Sequence, residues 1–140
     1  IRDYKVTGVQ TCALPILIDL AAFRGKVVYL DFWASWCGPC RASFPWMTQL
    51  AKTHAADSLV VIAVNLDKDR TLADAFLAQH PAGFRVAFDA AGTTAEAYKV
   101  SAMPTSFLIG RDGTVLLRHA GFDPRRAAEI ERRVVEALRP

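Results

Sequence analysis

The chain has 140 residues, 52% of them apolar, with 17 Lys plus Arg, 14 Asp plus Glu and a net charge of +3. That length suits one domain, and the apolar fraction is enough for a core, which excludes wholesale disorder. No run approaches the ~20 apolar residues of a membrane helix. Positive charge is scattered apart from Arg125, Arg126, Arg132, Arg133 and Arg139, so no nucleic-acid partner is expected.

Residues 6–16, VTGVQTCALPI, show neither helical nor strand patterning. The unbroken run resembles the in-frame translation of a short-read sequencing adapter, with residues 1–3 as its flank and Tyr4-Lys5 as a variable index. That resemblance implies a non-native segment over residues 1–16 and a domain over residues 17–140. Cys12 then carries no evolved function, and a signal peptide or membrane anchor is missing from view.

Residues 26–32 (KVVYLDF) form a nearly continuous apolar run, as expected of a strand covered on both faces. Val27, Tyr29 and Asp31 share one face; Val28, Leu30 and Phe32 share the other. After a turn at Ala34-Ser35-Trp36, residues 38–55 read as helix, with Phe44, Met47, Leu50 and Ala51 at helical spacing. Residues 59–66 are a second buried strand, 69–79 an amphipathic helix, 84–88 a short strand and 93–98 a short helix. Residues 105–109 and 114–117 are strands flanking Arg111-Asp112-Gly113, a hairpin signal. Asp123 offers an N-cap and Pro124 a first helical position for a last helix with Ala127, Ile130, Val134 and Leu138 on its apolar stripe. The order predicts one α/β domain with a partly parallel central sheet and helices on both faces.

Trp36-Cys37-Gly38-Pro39-Cys40 falls where a buried strand ends and a helix begins. Thiolate is the reactive form of cysteine, and a helix N-terminus favours it through unpaired N–H groups and the macrodipole. Cys37 is therefore the expected exposed nucleophile. Cys40, a turn deeper and facing the core, is the resolving thiol. The spacing lets the pair close into a disulfide with little backbone movement, and Pro39 suits an early helical position. A structural zinc site takes four ligands; the other thiol is Cys12, and His54, His80 and His119 lack ligand spacing. Neither a metal nor another cofactor is expected. A purely structural disulfide closing so short a loop would stabilise little.

DFWASWCGPC, with Pro45, Met103-Pro104-Thr105, VNLDKD, FLI-RDG and the closing GF, resembles the thioredoxin superfamily, and within it the TlpA-like thiol–disulfide oxidoreductases of bacterial envelopes. The similarity covers nearly all of residues 17–140. It implies a thioredoxin-like fold, a central mixed β-sheet flanked by helices, with the TlpA-like β-α insertion between Leu66 and Tyr98. It also implies that Asp31, expected to be buried, accepts the Cys40 proton, since burial raises a carboxyl pKa. Two positions depart from relatives: Ala63 stands where thioredoxin has a Lys partner for this Asp, and Ser43 where many TlpA-like chains carry Glu.

From the residues alone Met103-Pro104 would be trans; the resemblance makes it the cis-Pro loop, presenting Met103 backbone groups to an extended substrate segment. Gly38 and Pro39 complete the substrate-facing surface with Trp36, which is expected to be partly exposed. Trp33 is expected in the core. Pro45, in mid-helix, is a structural kink.

The implied activity is disulfide reduction on protein substrates, recharged by an upstream thiol donor in the periplasm or cell envelope, by a monomer. Cytochrome c maturation, copper-centre assembly and general envelope reduction all fit the family. Two alternatives stand beside it. A peroxiredoxin-like peroxidase is disfavoured because Ala34-Ser35-Trp36 replaces the usual Thr-x-x before Cys37. A copper or zinc carrier would use Cys37 and Cys40 as ligands.

Overall fold

In a computed structural model, which describes residues 5–10 and 15–139, every residue of Val27–Trp33 is buried. A strand this apolar on both faces can only be central. It is β3, preceded by β1 (Lys5–Gln10) and β2 (Pro15–Asp19). After it come α1 (Gly38–Thr53), β4 (Leu59–Asn65), α2 (Arg70–Gln79), β5 (Arg85–Phe88), α3 (Thr93–Ala97), β6 (Thr105–Ile109), β7 (Val115–Ala120) and α4 (Ala127–Leu138). The main sheet is ordered β5-β4-β3-β6-β7, with β5, β4 and β3 parallel and β6 and β7 antiparallel to their neighbours. This is the mixed sheet of a thioredoxin-like fold, with α2, β5 and α3 filling the span between Leu66 and Tyr98 in which the β-α insertion is expected.

The two faces of β3 separate as the alternation predicts. Val27, Tyr29 and Trp33 join Phe44, Met47 and Leu50 of α1, Phe76 of α2, and Ile130 and Val134 of α4 in one apolar layer. Val28, Leu30 and Phe32 lie in the other, with Ala95 of α3, Tyr98 and Phe107. Trp33 is in the core as expected, its ring centroid 4.8 Å from Phe44 and 4.9 Å from Phe76. Helix α1 continues through Pro45, which is exposed.

Three expectations need correction. Residues 6–16 are not free of strand structure: β1 pairs antiparallel with β2, Val6 opposite Ile18 and Val9 opposite Ile16. The β-branched residues of this stretch supply a strand propensity that outweighs its weak alternation. Strand β7 runs on past Leu117 to Ala120, because Arg118, His119 and Ala120 keep pairing with Phe107, Ser106 and Thr105. Asp123 does cap, accepting from Arg125 N–H at 3.0 Å, but it caps a 3-10 turn over Pro124–Arg126 that leads into α4. Cys12 lies outside the described residues. Among the described residues no helix is long and apolar enough to cross a membrane.

Candidate active site

The carboxyl ends of β3 and β4 lie side by side, Trp33 opposite Asn65, and the chain leaves β3 through Ala34-Ser35-Trp36. A buried carboxylate holds that turn. Asp67 accepts from Ser35 N–H at 2.9 Å, from the Ser35 hydroxyl at 2.8 Å and from Asn65 Nδ2 at 2.7 Å, while Asp67 N–H donates to Asn65 Oδ1 at 3.0 Å. Sequence reasoning gave Asp67 no role; its signal was a carboxylate just beyond a buried strand, within the family-like VNLDKD stretch.

Cys37 is the N-cap residue of α1, its N–H donating to Ala34 O at 3.1 Å. Gly38 and Pro39 open the first turn, and Cys40 follows facing the core. The two cysteines are joined in a disulfide with Cα atoms 5.4 Å apart. Cys40 is 0% exposed, as expected. Cys37 is only 4% exposed, so its expected exposure does not hold, while the neighbouring Trp36 is 70% exposed. What accessible surface the pair retains belongs to Cys37. Ser43 is buried one turn later, its hydroxyl donating to Cys40 O at 3.0 Å.

The Met103–Pro104 peptide bond is cis. Its loop is tied to the end of β7, where Gly121 N–H donates to Pro104 O at 2.7 Å. Gly121 sits at φ +81, a left-handed conformation that suits glycine. Pro104 is buried, and Met103 packs against the layer that holds both cysteines.

Asp31, 1% exposed, projects from β3 into the layer beneath α1. The Ser106 hydroxyl donates to its Oδ1 at 2.6 Å, while Oδ2 is buried and makes no hydrogen bond among the described residues. Burial lifts its pKa from the ordinary 3.8 to about 7, against the opposing effect of Ser106. Ala63 lies directly opposite on β4, so that neighbour offers no cation. On the same face, Tyr29 has its phenol pushed up by burial and by the Asp31 charge.

The histidines are dispersed. His54 lies 3.2 Å from Glu131 and 3.4 Å from Asp57, His80 stacks on Phe76, and His119 is on β7. Among the described residues no group of three His, Cys, Asp or Glu side chains could hold a metal ion.

A helix-capping disulfide, a cis-proline loop and a buried acid on one mixed sheet define a thioredoxin-like redox domain. Comparison with known proteins makes this specific: the Redoxin family profile matches residues 5–137, and the chain belongs to that family. The thiol-disulfide oxidoreductase ResA of Bacillus thuringiensis is 37% identical over 99 residues, covering 71% of this chain and 57% of the relative. The chain thus spans little more than half the length of this relative. A candidate thiol:disulfide interchange protein DsbE from Chlorobium tepidum superposes with a TM-score of 0.91 and 47% identity, over 99% of this chain and 96% of that one. The exposed lipoprotein thioredoxin Etrx1 of Streptococcus pneumoniae does so with a TM-score of 0.74 and 27% identity, over 97% of each chain.

Two outcomes follow from this geometry. The folded protein keeps the Asp31 proton up to about pH 7, whereas an unfolded chain keeps it only to its ordinary 3.8. The stability this proton confers is complete below about pH 4 and is lost as pH rises through 7. Asp31→Asn should flatten that slope in urea denaturation of the oxidised protein and exceed the parent's stability at pH 8 by roughly 2–4 kcal/mol. Identical pH dependence in the two proteins would contradict the assignment. Asp67→Ala strips an acceptor from three donors and should cost about 2–4 kcal/mol in the same assay.

Proposed function

We propose that the protein is a thiol–disulfide oxidoreductase that reduces protein disulfides in the bacterial cell envelope, with Cys37 and Cys40 as its dithiol. The observation that carries this reading is the Cys37–Cys40 disulfide at the N-terminus of α1, with Met103 of the cis-proline loop packed against the layer that holds both cysteines. The oxidoreductase and interchange activities named for the Bacillus and Chlorobium proteins support it. The exposed-lipoprotein description of the Streptococcus protein supports the envelope.

In the reduced state the Cys37 thiolate attacks a substrate disulfide. One substrate sulfur leaves as thiolate, and a mixed disulfide forms. Cys40 loses its proton to Asp31 and attacks Cys37 Sγ. The second substrate thiol is released, and the internal disulfide is restored. Trp36, Gly38, Pro39, Met103 and Pro104 line the approach, with Met103 presenting backbone groups to an extended substrate segment. An upstream envelope dithiol recharges the protein, which acts as a monomer without metal or other cofactor. The relatives' redox names favour this over a metal carrier. The Cys37–Cys40 pairing, one helical turn apart, favours it over a peroxidase.

The thiols test the reading directly. Cys37→Ser should abolish attack on a disulfide substrate, whereas Cys40→Ser should attack and stall as a covalent adduct visible by mass spectrometry. Iodoacetamide should label Cys37 of the reduced protein first near pH 6.5; peptide mapping that finds Cys40 labelled first would reverse the assignment. Although β1 runs close to β5, the adapter-like segment contains neither cysteine of the dithiol nor any residue lining the approach, so deleting residues 1–16 should leave disulfide exchange intact. A stability loss beyond ~1 kcal/mol on that deletion would instead make the β1–β2 pair part of the domain.

A further inference from the structure

Asp31 is buried, and a buried base that takes a proton at every turnover must also release one. The sheet register shows where it can go. Asp31 pairs with Ser106 on β6, and Ser106 pairs with His119 on β7, so the three residues are consecutive neighbours across the strands. They share one face. Leu108, two residues after Ser106, joins the layer that holds the cysteines, and Leu117, two before His119, packs against that layer. Directly opposed residues on one face have Cβ atoms roughly 4.5–5.5 Å apart, within reach of a hydroxyl and an imidazole.

Both ends of this row have unused capacity. Asp31 Oδ2 and His119 Nε2 are each buried without a hydrogen bond among the described residues. Between them Ser106 donates to Asp31 Oδ1 at 2.6 Å and makes no hydrogen bond to His119 Nε2, so the imidazole must turn toward the hydroxyl to complete the row. A buried imidazole nitrogen with no partner costs stability, and its retention calls for a reason.

We propose that Asp31, Ser106 and His119 form a proton exit, in which His119 receives through the Ser106 hydroxyl the proton that Asp31 takes from Cys40. The inference rests on the oxidoreductase reading above. The proton is conserved at each step. The Cys40 thiol gives it to the Asp31 carboxylate as the Cys40 sulfur bonds to Cys37 and the bond to the substrate sulfur breaks. Protonated Asp31 then donates to Ser106 Oγ while the Ser106 hydrogen passes to His119 Nε2. The imidazolium releases a proton to water, and the departing substrate thiolate takes one up.

The surroundings of His119 suit a transient carrier. Burial and the Arg126 charge disfavour its protonated form, and Glu129 at the start of α4 favours it. Tyr29 and Asp31 are the titratable groups of β3 on this face. His119 itself is half-buried on the edge strand, so its ring lies between the dry centre of the sheet and solvent. It acts through Ser106 and Asp31, never on sulfur.

The test separates the two thiol steps. A mixed disulfide of Cys37 with a peptide thiol is formed at pH 7 in dilute buffer, and its release by Cys40 is followed by rapid quench and mass analysis. His119→Ala and His119→Gln should each slow release by about tenfold or more. Added imidazole should restore most of the His119→Ala rate, which a merely structural defect would not allow. Attack by Cys37, measured in a Cys40→Ser background, should be unchanged. Release at the parent rate, slow release that imidazole leaves slow, or an equal slowing of the Cys37 step would each overturn the proposal. Asp31→Asn in parallel keeps the two readings distinguishable. If it is slow while both His119 variants are normal, only the exit route fails; if it too releases at the parent rate, Asp31 is not the acceptor and the oxidoreductase mechanism must be redrawn.

Discussion

The turn that carries the thiols depends on one buried carboxylate. Asp67 accepts three hydrogen bonds, two from Ser35 and one from Asn65, and so ties the end of β4 to the residues just before Cys37. Leu66 N–H adds a backbone bond to Trp33 O at 2.9 Å, closing the same corner from the other side. Hydrogen bonds to a charged acceptor contribute about 1.5–3 kcal/mol each. They do so here because β3 and β4 are parallel and end at the same edge of the sheet. With the turn fixed, α1 begins just after Cys37, its N-cap, and the first sulfur sits at the positive end of a helix.

The second constraint is the isolation of Asp31. A carboxyl in this position would ordinarily need a cation or several donors, but its neighbours are Ala63 on one side and a single serine hydroxyl on the other. Ser43, which could have carried a second acid, instead spends its hydroxyl on Cys40 O. Desolvation therefore dominates, and the pKa comes to about 7. A group poised there is populated in both forms near neutrality, which is what a proton acceptor for a thiol requires. The same isolation that costs stability at high pH makes the residue useful.

Much of this was legible in the chain itself, for identifiable reasons. The run from Val27 to Phe32 is long, apolar and β-branched, so its place as a two-faced central strand followed from pattern alone, and with it the faces of Tyr29 and Asp31. The strand-to-helix junction likewise placed Cys37 and Cys40. Four features were hidden. Asp67 looked like any polar residue after a strand, because its three donors come from Ser35, 32 positions away, and from Asn65. The partnership of Asp31 with Ser106 spans 75 residues, and no local signal encodes a register. The end of β7 was missed because Arg118 and His119 break the apolar pattern; backbone pairing at a sheet edge tolerates charges that pattern-reading counts against a strand. The near-total burial of Cys37 was also invisible, since exposure depends on packing across the whole fold and a strand-to-helix junction does not encode it.

These features belong to one arrangement of polarity within an apolar layer. Across β4, β3, β6 and β7 the row Ala63, Asp31, Ser106, His119 moves from the sheet centre to its edge. Exposure rises along it, from 0% at Ala63 through 1% and 5% at Asp31 and Ser106 to a half-buried His119. An ionised carboxylate in such a place is unstable against neutralisation, and the instability grows with the dryness of the site. The apolar end of the row is therefore what raises the affinity of Asp31 for a proton, and the wetter end is where a proton is more easily given up. The cysteines lie in the layer over the dry end. Strand alternation alone puts all four side chains on that face, so a gradient of proton affinity arises from the pleat of the sheet without any charged partner for Asp31.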